Sequence, residues 1–520
     1  MEIEASVVGG EYTDWRGQKT DPRRHGGSRA ATFACVVEVL ENLVFLSNAT
    51  NFILYFTKSM HYPIAEAANM VTNFMGTSFL LTILGGFITD SFITRFRTFI
   101  IFCILELVGL ILLTVQAVDT RLQPAPGTKP TNWPAAILFS GLYAIAIGVG
   151  GIKAALPAHG ADQFDQSNPR AISAFFNWFF FALCMGGLIS CTVMIWIENN
   201  LGWTASFKTS IAVLSVALFV FVSGFRFYRF KAPSGSPIAR IFKVFASAIR
   251  SHDRSVPALM GNDADLNVIS NNKFRFLDRA LADETITKVQ VEETKAFLGL
   301  LPIFASTIMM NCCLAQLQTF SVEQGSTMNR NIRNFQIPTQ SLTVFPLIVM
   351  LISVPAFEHF ARSMKNKIPS DHYIFQPLKR MGLGLALASA SMAVAALVEA
   401  NRRAAAKNNV TLSVFWLSFQ YILLGVSDML TLEGMMEFFY SEAPNSMRSI
   451  STALSWCSTA MGFFLSSVLV SIINSISAAV GDAWIDGHDL NHSRVDLFYT
   501  ILCVLNFLNL LNYIYWAKKF

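Results

Sequence analysis

The feature that most constrains this chain is a series of long apolar runs, each about as long as a bilayer is thick. Residues 99–118 contain Glu106 as their one charged side chain, and residues 206–224 contain only Lys208. Helices of about 20 apolar residues span the hydrocarbon core, because a helix satisfies its own backbone hydrogen bonds there. Charged residues make up 14% of the chain, against roughly 25% in soluble domains. The sequence therefore predicts an all-α membrane protein.

Twelve such segments are predicted, six before and six after one long polar stretch, residues 229–293. The predicted spans are residues 30–57, 67–92, 98–118, 135–158, 172–197, 206–228, 294–319, 340–361, 378–400, 413–440, 447–478 and 495–517. This layout indicates the major facilitator fold, in which two six-helix bundles surround a central cavity. The predicted domains are a cytoplasmic N-terminal segment (1–29), an N-terminal bundle (30–228), a cytoplasmic linker with short amphipathic helices (229–293) and a C-terminal bundle (294–520).

Basic residues are concentrated in the loops on the same side as both termini, with Arg402, Arg403 and Lys407 as the exception. This bias predicts a multi-pass protein with both ends in the cytoplasm. Glycosylation sequons at Asn409 and Asn491 fall in loops on the other side. The net charge of +5 is small and spread through loops, so membrane lipid and a small-molecule substrate are the expected partners, and nucleic acid is not.

Neither a metal site nor an enzyme is predicted. The eight cysteines all fall in candidate spans and show neither a paired loop framework nor zinc-type spacing. No nucleophile stands beside a base in the sequence, and no cofactor is expected apart from protons as a coupling ion.

Charged side chains inside the spans need an explanation, because a charge at the bilayer centre costs roughly 2.5–3.5 kcal/mol on insertion scales. Seven are predicted there: Glu38, Glu41, Glu106, Lys153, Asp428, Glu433 and Glu437. Lys153 is the only basic group that we place deep in a span, so we expect it to pair with a carboxylate across the cavity. Such a pair either holds the two bundles together or forms a gate that binds an anionic substrate. Glu106 has no neighbouring partner in the sequence and is interpreted as structural.

Two pairs of glutamates recur at helical spacing. Glu38 and Glu41 lie at i and i+3, hence on one face of the first span. In low dielectric one member of such a pair retains its proton more readily, as a proton carrier requires. A structural hydrogen-bonded pair is the alternative. Glu433 and Glu437 pose the same question at i and i+4, and one of them is expected to pair with Lys153.

Two further segments suggest function. Gly86-Phe-Ile-Thr-Asp90, followed by Arg95 and Arg97, is typical of the loop between the second and third spans of major facilitators, where it forms a charge relay. Thr98 completes an Arg-x-x-Thr sequence that suits a basophilic kinase, so we predict a regulatory site there and a kinase as a possible partner. The aromatic run 175–181 either lines a cavity or faces lipid.

Several motifs follow one another along nearly the whole chain: Thr72-Asn73-Phe74, Gly85-Gly-Phe-Ile-Thr-Asp90, Gly150-Gly-Ile-Lys153, Gly160-Ala-Asp-Gln-Phe-Asp165, Phe274-Arg-Phe-Leu-Asp-Arg-Ala280, Gln290-Val-Glu-Glu293 and Glu437–Ser449. In this order they resemble the plant nitrate/peptide transporter family, a branch of the proton-coupled oligopeptide transporters. The segments Glu38–Leu43 and Asn311–Leu317 are similar to the fourth plant subfamily. That subfamily includes importers of abscisic acid and gibberellins, and members described with nitrate.

The resemblance implies a pair between Lys153 and Glu437, and proton coupling through Glu38, Glu41 and Glu437. The family motif in the first span ends in arginine, whereas this chain has Asn42. Loss of that cation removes the partner expected to tune the two glutamates.

The resemblance also bears on the substrate. The family's dual-affinity nitrate transporter has a histidine where this chain has Leu314, which makes nitrate a weaker prediction. A larger weak acid with an apolar body suits one lysine beside an aromatic wall better. We assign to substrate binding Lys153, Glu437, Asn42, Asn73, Phe176, Gln316 and Trp456.

The predicted function is proton-coupled import of a carboxylate hormone, abscisic acid or a gibberellin, across the plasma membrane by alternating access. A proton symporter for nitrate or peptide is the first alternative. A membrane sensor that binds its ligand without transporting it is the second.

Overall fold

The computed structural model describes residues 12–21, 24–62, 64–125, 128–233, 235–250, 274–283, 285–332, 335–336, 342–364, 376–480, 484–485 and 493–520. The sequon at Asn491 and residues 251–273 of the predicted linker lie outside these ranges.

Within those ranges the chain is almost entirely helical. The helices before the linker are α1 (Gly27–Leu54), α2 (Ile64–Ser91), α3 (Arg95–Val118), α4 (Asn132–Ala161), α5 (Pro169–Ile189), α6 (Ile195–Leu201) and α7 (Trp203–Ser223). The helices from the linker onward are α8 (Pro237–Arg250), α9 (Lys288–Gln318), α10 (Phe320–Ser326), α11 (Val344–Met364), α12 (Pro377–Lys407), α13 (Leu417–Ser441), α14 (Arg448–Val480) and α15 (Val495–Lys519). Two short antiparallel strands, β1 (Asn331–Ile332) and β2 (Phe335–Gln336), lie between α10 and α11.

The helices agree with the predicted membrane fold. In the described part of the chain, 11 helical stretches are long and apolar enough to cross a bilayer, and the shorter apolar segment Val344–Phe360 in α11 is the remaining candidate. A π-helical turn, Ser190–Met194, joins α5 and α6 into one continuous stretch. The predicted start of this stretch, residue 172, is three residues late, because Asn168 caps the helix and Pro169 occupies its first position. The all-α prediction is confirmed.

Close backbone contacts bring the charged helices together. A Cβ atom at Gly85 of α2 would lie 2.7 Å from the Cα of Gly151 in α4, so these two helices touch directly. A Cβ at Gly186 of α5 would lie 2.4 Å from the carbonyl oxygen of Val39 in α1. Because only glycine permits these approaches, α2 lies directly against α4, and the charged segment of α1 lies directly against α5.

One end of the bundle, which we call the linker end, collects the N-terminal segment and the start of the linker. The amide of Gly26 donates to the carbonyl of Phe227 at 2.7 Å, and the amide of Gly27 donates to that of Gln163 at 2.7 Å. Thr13 and Phe230 exchange two backbone hydrogen bonds of 2.9 Å. The ends of α4 and α7 and the beginning of α1 therefore meet at this end.

The described linker residues form a small second core. It consists of Val244, Ala248, Leu277, Ala280, Ile286 and Val291. They come from α8, from the 3-10 helix Arg275–Ala282, from the segment before α9 and from the first turn of α9. The short amphipathic helices predicted for the linker are present in this part of it.

Candidate functional site

Lys153 of α4 lies at the centre of a buried charge cluster. Only 1% of the residue is exposed. Its Nζ lies 2.8 Å from Glu41 Oε2, 3.5 Å from Glu38 Oε1 and 3.4 Å from Asn42 Oδ1. We call these four residues the lysine cluster. The second oxygen of each glutamate is buried and has no hydrogen-bond partner in the described part of the structure. The ammonium group of Lys153 is thus the ion-pair partner of two carboxylates.

Asn42 holds this cluster to the next helix. Its amide nitrogen donates to the carbonyl of Leu183 in α5 at 2.8 Å, while its oxygen accepts from Lys153. The position that carries an arginine in the family motif thus carries a neutral bridge between α1, α4 and α5. Lys153 is left as the cation of the lysine cluster.

An aromatic wall faces the ammonium group. The Nζ of Lys153 lies 5.4 Å from the ring centre of Phe45 and 4.9 Å from that of Trp456. Phe79 stacks on Trp456, with ring centres 5.3 Å apart and an angle of 10° between the ring planes. Cation–π contacts of this kind contribute up to about 2 kcal/mol when desolvated. The indole Nε1 of Trp456 is buried without a hydrogen-bond partner among the described residues, which leaves a donor for a ligand.

Lys153 is not the only buried cation within the described candidate spans. Arg380 of α12 is 2% exposed and pairs with two carboxylates of α13. Its guanidinium lies 2.8 Å from Glu437 Oε2 and 2.5 Å from Glu433 Oε1. Arginine near a helix end normally extends to the interface, whereas here the neighbouring helices enclose it. The implied pair of Lys153 with Glu437 is absent in this conformation, because each group has partners within its own half.

Side chains of α5 connect the two halves at this second charge cluster. Asn177 donates a hydrogen bond to Glu358 of α11 and accepts one from Arg380 Nη2 at 3.3 Å. One turn earlier, Ser173 Oγ donates to Glu437 Oε2 at 2.9 Å. We call these five residues the latch: Ser173, Asn177, Glu358, Arg380 and Glu437. The latch fixes the first half of the molecule to the second near the linker end.

A second network joins the halves at the same end. Arg95 pairs with Asp162 and lies 3.5 Å from Asp90. From the other half, the hydroxyl of Tyr440 donates to Asp162 Oδ1 at 2.6 Å, and the amide of Ile450 donates to Asp90 Oδ2 at 2.9 Å. We call these five residues the loop network. The predicted Asp90–Arg95 relay thus extends across to α13 and α14. Away from the linker end, no hydrogen bond or ion pair joins α1 to α9 among their described residues, whereas Thr343 donates to Cys191 Sγ at 3.8 Å between the halves.

The other residues assigned to substrate binding do not surround Lys153. Asn73 is exposed on α2. Phe176 is fully buried and packs on Tyr440, with ring centres 5.6 Å apart. Gln316 donates to Ser466 Oγ at 2.9 Å and so ties α9 to α14. Of the assigned residues, Lys153, Asn42 and Trp456 lie together in one buried cluster, and the part of all of them in substrate binding remains a prediction.

Three functional candidates were missed by the sequence reasoning: Asn177, Glu358 and Arg380. Asn177 is the single amide in the aromatic run 175–181, and Glu358 lies within a predicted span. Both are polar residues in apolar surroundings, so the rule that selected Lys153 also applies to them. No group of three or more His, Cys, Asp or Glu residues that could hold a metal occurs in the described part of the chain.

Thr98, the predicted regulatory site, is completely buried at the start of α3. Its hydroxyl donates to the Thr94 carbonyl at 3.1 Å and accepts from Thr89 at 3.2 Å. A kinase therefore needs a conformation in which this segment has opened.

We expect Thr98→Asp to lower transport, because a carboxylate buried near Arg95 competes with Asp162 and weakens the loop network. We expect Thr98→Ala, which loses two hydrogen bonds and buries no charge, to stay within about threefold of the wild-type rate. Uptake kinetics measured at equal surface expression test this. Unchanged kinetics in both variants would contradict a regulatory role.

Two joined halves of apolar helices, with a buried lysine between paired carboxylates, define a multi-pass membrane transporter. The POT family model matches residues 96–485. The chain is 53% identical over 515 residues to NRT1/PTR FAMILY 4.2 of Arabidopsis thaliana, with 98% of this chain and 99% of the relative covered. It is 55% identical over 517 residues to NRT1/PTR FAMILY 4.1 of the same plant, with the same coverage.

Solved transporters share the fold. The crystal structure of the POT family transporter PepTSo superposes with a TM-score of 0.67 at 18% identity, covering 95% of this chain and 98% of that one. A POT family transporter in complex with 5-aminolevulinic acid gives a TM-score of 0.63 at 13% identity, covering 94% and 98%.

The chain belongs to the POT family of transporters and, within it, to subfamily 4 of the NRT1/PTR family. Members of the POT family are transporters and not enzymes. The predicted family, subfamily and major facilitator fold are confirmed.

Proposed function

We propose that this protein imports a carboxylate plant hormone, abscisic acid or a gibberellin, across the plasma membrane together with protons. The observation that carries the proposal is the position of Lys153, a buried cation against the rings of Phe45 and Trp456. A cation beside an apolar wall is complementary to a weak acid with an apolar body. The POT family structure with 5-aminolevulinic acid supports a carboxylic acid as a ligand class for this fold.

In the proposed cycle the substrate carboxylate and Glu41 compete for the ammonium group of Lys153, and this competition couples substrate binding to proton binding. A substrate carboxylate that binds the Nζ displaces Glu41, which lies 2.8 Å away. A buried carboxylate left without its cation is costly, so Glu41 takes up a proton as the substrate binds. Asn42 supplies no second cation, which makes this exchange obligatory in the proposed cycle.

The closed linker end supports an outward-facing starting state. The latch and the loop network both join the halves at that end, and we propose that it faces the cytoplasm. Substrate then enters from the opposite side and leaves after both networks have opened. In the proposed inward-facing state, Glu437 leaves Arg380 and pairs with Lys153, which displaces the substrate from its cation.

One heterologous cell expressing the protein tests the substrate. We expect uptake of labelled abscisic acid or gibberellin above that of cells without the protein, and each unlabelled hormone should compete. Uptake of nitrate alone would replace the hormone proposal with nitrate transport. Hormone binding to vesicles that hold the purified protein, without flux, would identify a sensor.

The proposed proton uptake by Glu41 can be tested separately, through the effect of a proton gradient on substrate accumulation. Glu41→Gln keeps an oxygen for Lys153 but takes up no proton, so an inward proton gradient should no longer drive accumulation. In wild-type proteoliposomes each coupled proton raises accumulation by about tenfold per pH unit. Uptake into protein-free liposomes measures the leak of the neutral acid and is subtracted. Asn42→Arg, which restores the family motif, is the comparison variant. Equal gradient-driven uptake in wild type and Glu41→Gln would show that Glu41 does not carry the proton.

A further inference from the structure

A second charged site lies at the linker end, outside both the lysine cluster and the latch. It is a cavity of about 470 Å³ lined by Arg24, His25, Gly26, Arg29, Arg226 and Phe227. We call it the arginine cavity. It is formed where the N-terminal segment enters α1 and where the 3-10 turn Gly224–Arg226 follows α7. None of the functional residues discussed above lines it.

The charges of this cavity are unbalanced. Three of the six lining residues are arginines, and none is acidic. The guanidinium groups of Arg29 and Arg226 have no hydrogen-bond or ion-pair partner among the described residues. Arg24 lies 3.9 Å from Asp21, and both side chains are well exposed, so this pair contributes little. The arginine cavity therefore offers guanidinium donors to an anion.

Backbone contacts shape the cavity without using these three arginines. Arg229 Nε donates to the carbonyl of His25 at 3.0 Å, and the amide of Gly26 donates to that of Phe227 at 2.7 Å. Gly26 has a φ of 81°, and a Cβ there would lie 2.3 Å from Arg229 Nε. Only glycine fits this position, and the walls of the cavity are thus set by the fold.

The cavity lies where two candidate membrane spans end. The first candidate span begins at Gly27, and the sixth ends at Arg226. Exposed aromatic side chains mark the same level, with Phe227 42% and Trp15 41% exposed. Aromatic residues are typical of the membrane interface. The basic bias of cytoplasmic loops accounts for arginines on this side of the membrane, but not for a cavity with three arginines and no acidic residue among its six lining residues.

We propose that the arginine cavity binds the phosphate headgroup of an anionic phospholipid in the leaflet at the linker end. Guanidinium groups hold phosphate oxygens in pairs of charge-assisted hydrogen bonds. The bound lipid fastens the N-terminal segment to the end of the sixth span. This site is independent of the transported substrate.

Purified full-length protein in detergent tests the proposal with two short-chain probes, phosphatidylinositol 4-phosphate and phosphatidylcholine. We expect the anionic lipid to bind more tightly and to raise the melting temperature. Arg24→Gln, Arg29→Gln and Arg226→Gln combined should weaken its binding by roughly 150-fold, since each basic residue near an anionic surface adds about 1 kcal/mol. Arg97→Gln, at an exposed arginine of the same end, is the matched control and should bind like wild type.

Three results would overturn the proposal. The first is equal binding by the triple variant and wild type. The second is the same loss in Arg97→Gln, which would indicate general surface charge. The third is displacement of the lipid by inorganic phosphate at comparable concentration, which would assign the cavity to a soluble anion. If the triple variant melts without a folded baseline, the single variant Arg226→Gln replaces it, with an expected loss of about fivefold.

Discussion

Lys153→Ala is expected to reduce hormone flux to the background of cells without the protein. Lys153 is the cation against which both Glu41 and the aromatic wall are placed, so in the proposed transport cycle its removal leaves the substrate carboxylate buried without a counter-charge. Removing one partner of a buried ion pair costs roughly 3–5 kcal/mol. For substrate affinity this corresponds to a loss of roughly 10²- to 10⁴-fold.

Lys153→Ala should be less stable than wild type but still reach the cell surface, because a buried carboxyl group that loses its cation is accommodated in its neutral form. Lys208→Ala is the control, since Lys208 also lies in a span but is exposed on α7. Flux and binding of labelled hormone are compared at equal surface expression. Adding Glu41→Gln to Lys153→Ala should improve thermal stability and leave flux at background. Wild-type flux in Lys153→Ala would remove Lys153 from the binding site.

The lysine cluster was predictable because a charge within an apolar span has few ways to be satisfied. Glu38 and Glu41 share a helix face, and Lys153 stands alone in an apolar run, so sequence spacing identifies all three. Their pairing was not predictable from spacing. It depends on how closely α1, α4 and α5 approach, and that approach is set by contacts such as Gly186 against Val39.

The latch could not be predicted from the sequence, for a different reason. Arg380 lies three residues after the first residue of α12, where a long basic side chain normally reaches the interface. Only the packing of α5, α11 and α13 around it makes it a buried cation. Phe176 shows another limit of the sequence, because an aromatic run has the same composition whether it lines a cavity or packs against a ring of another helix, as Phe176 does against Tyr440.

Arg380→Ala is expected to destabilise the protein and, in addition, to open its linker end. The substitution leaves Glu433 and Glu437 buried without their cation, which costs roughly 3–5 kcal/mol. It also removes the Arg380 bond to Asn177 across the two halves. The ion pairs of Arg380 lie within the second half, so only the loss of this hydrogen bond, about 1.5–3 kcal/mol, is specific to the closed state. That loss shifts the ratio of closed to open molecules by roughly 10- to 150-fold.

Spin labels at two exposed positions of the linker end, Ser167→Cys in the first half and Ser441→Cys in the second, report this change as a longer distance. Arg402→Ala is the matched control, because Arg402 is a buried arginine of the same helix paired with Glu399 at 2.7 Å within the second half. Both substitutions should lower the melting temperature, but only Arg380→Ala should lengthen the distance.

Asn177→Ala, which breaks the same contact without leaving a charge unpaired, should shift the distance in the same direction by a smaller amount. If Arg380→Ala and Arg402→Ala melt alike and leave the distance unchanged, Arg380 is an internal ion pair of the second half and the latch does not control opening.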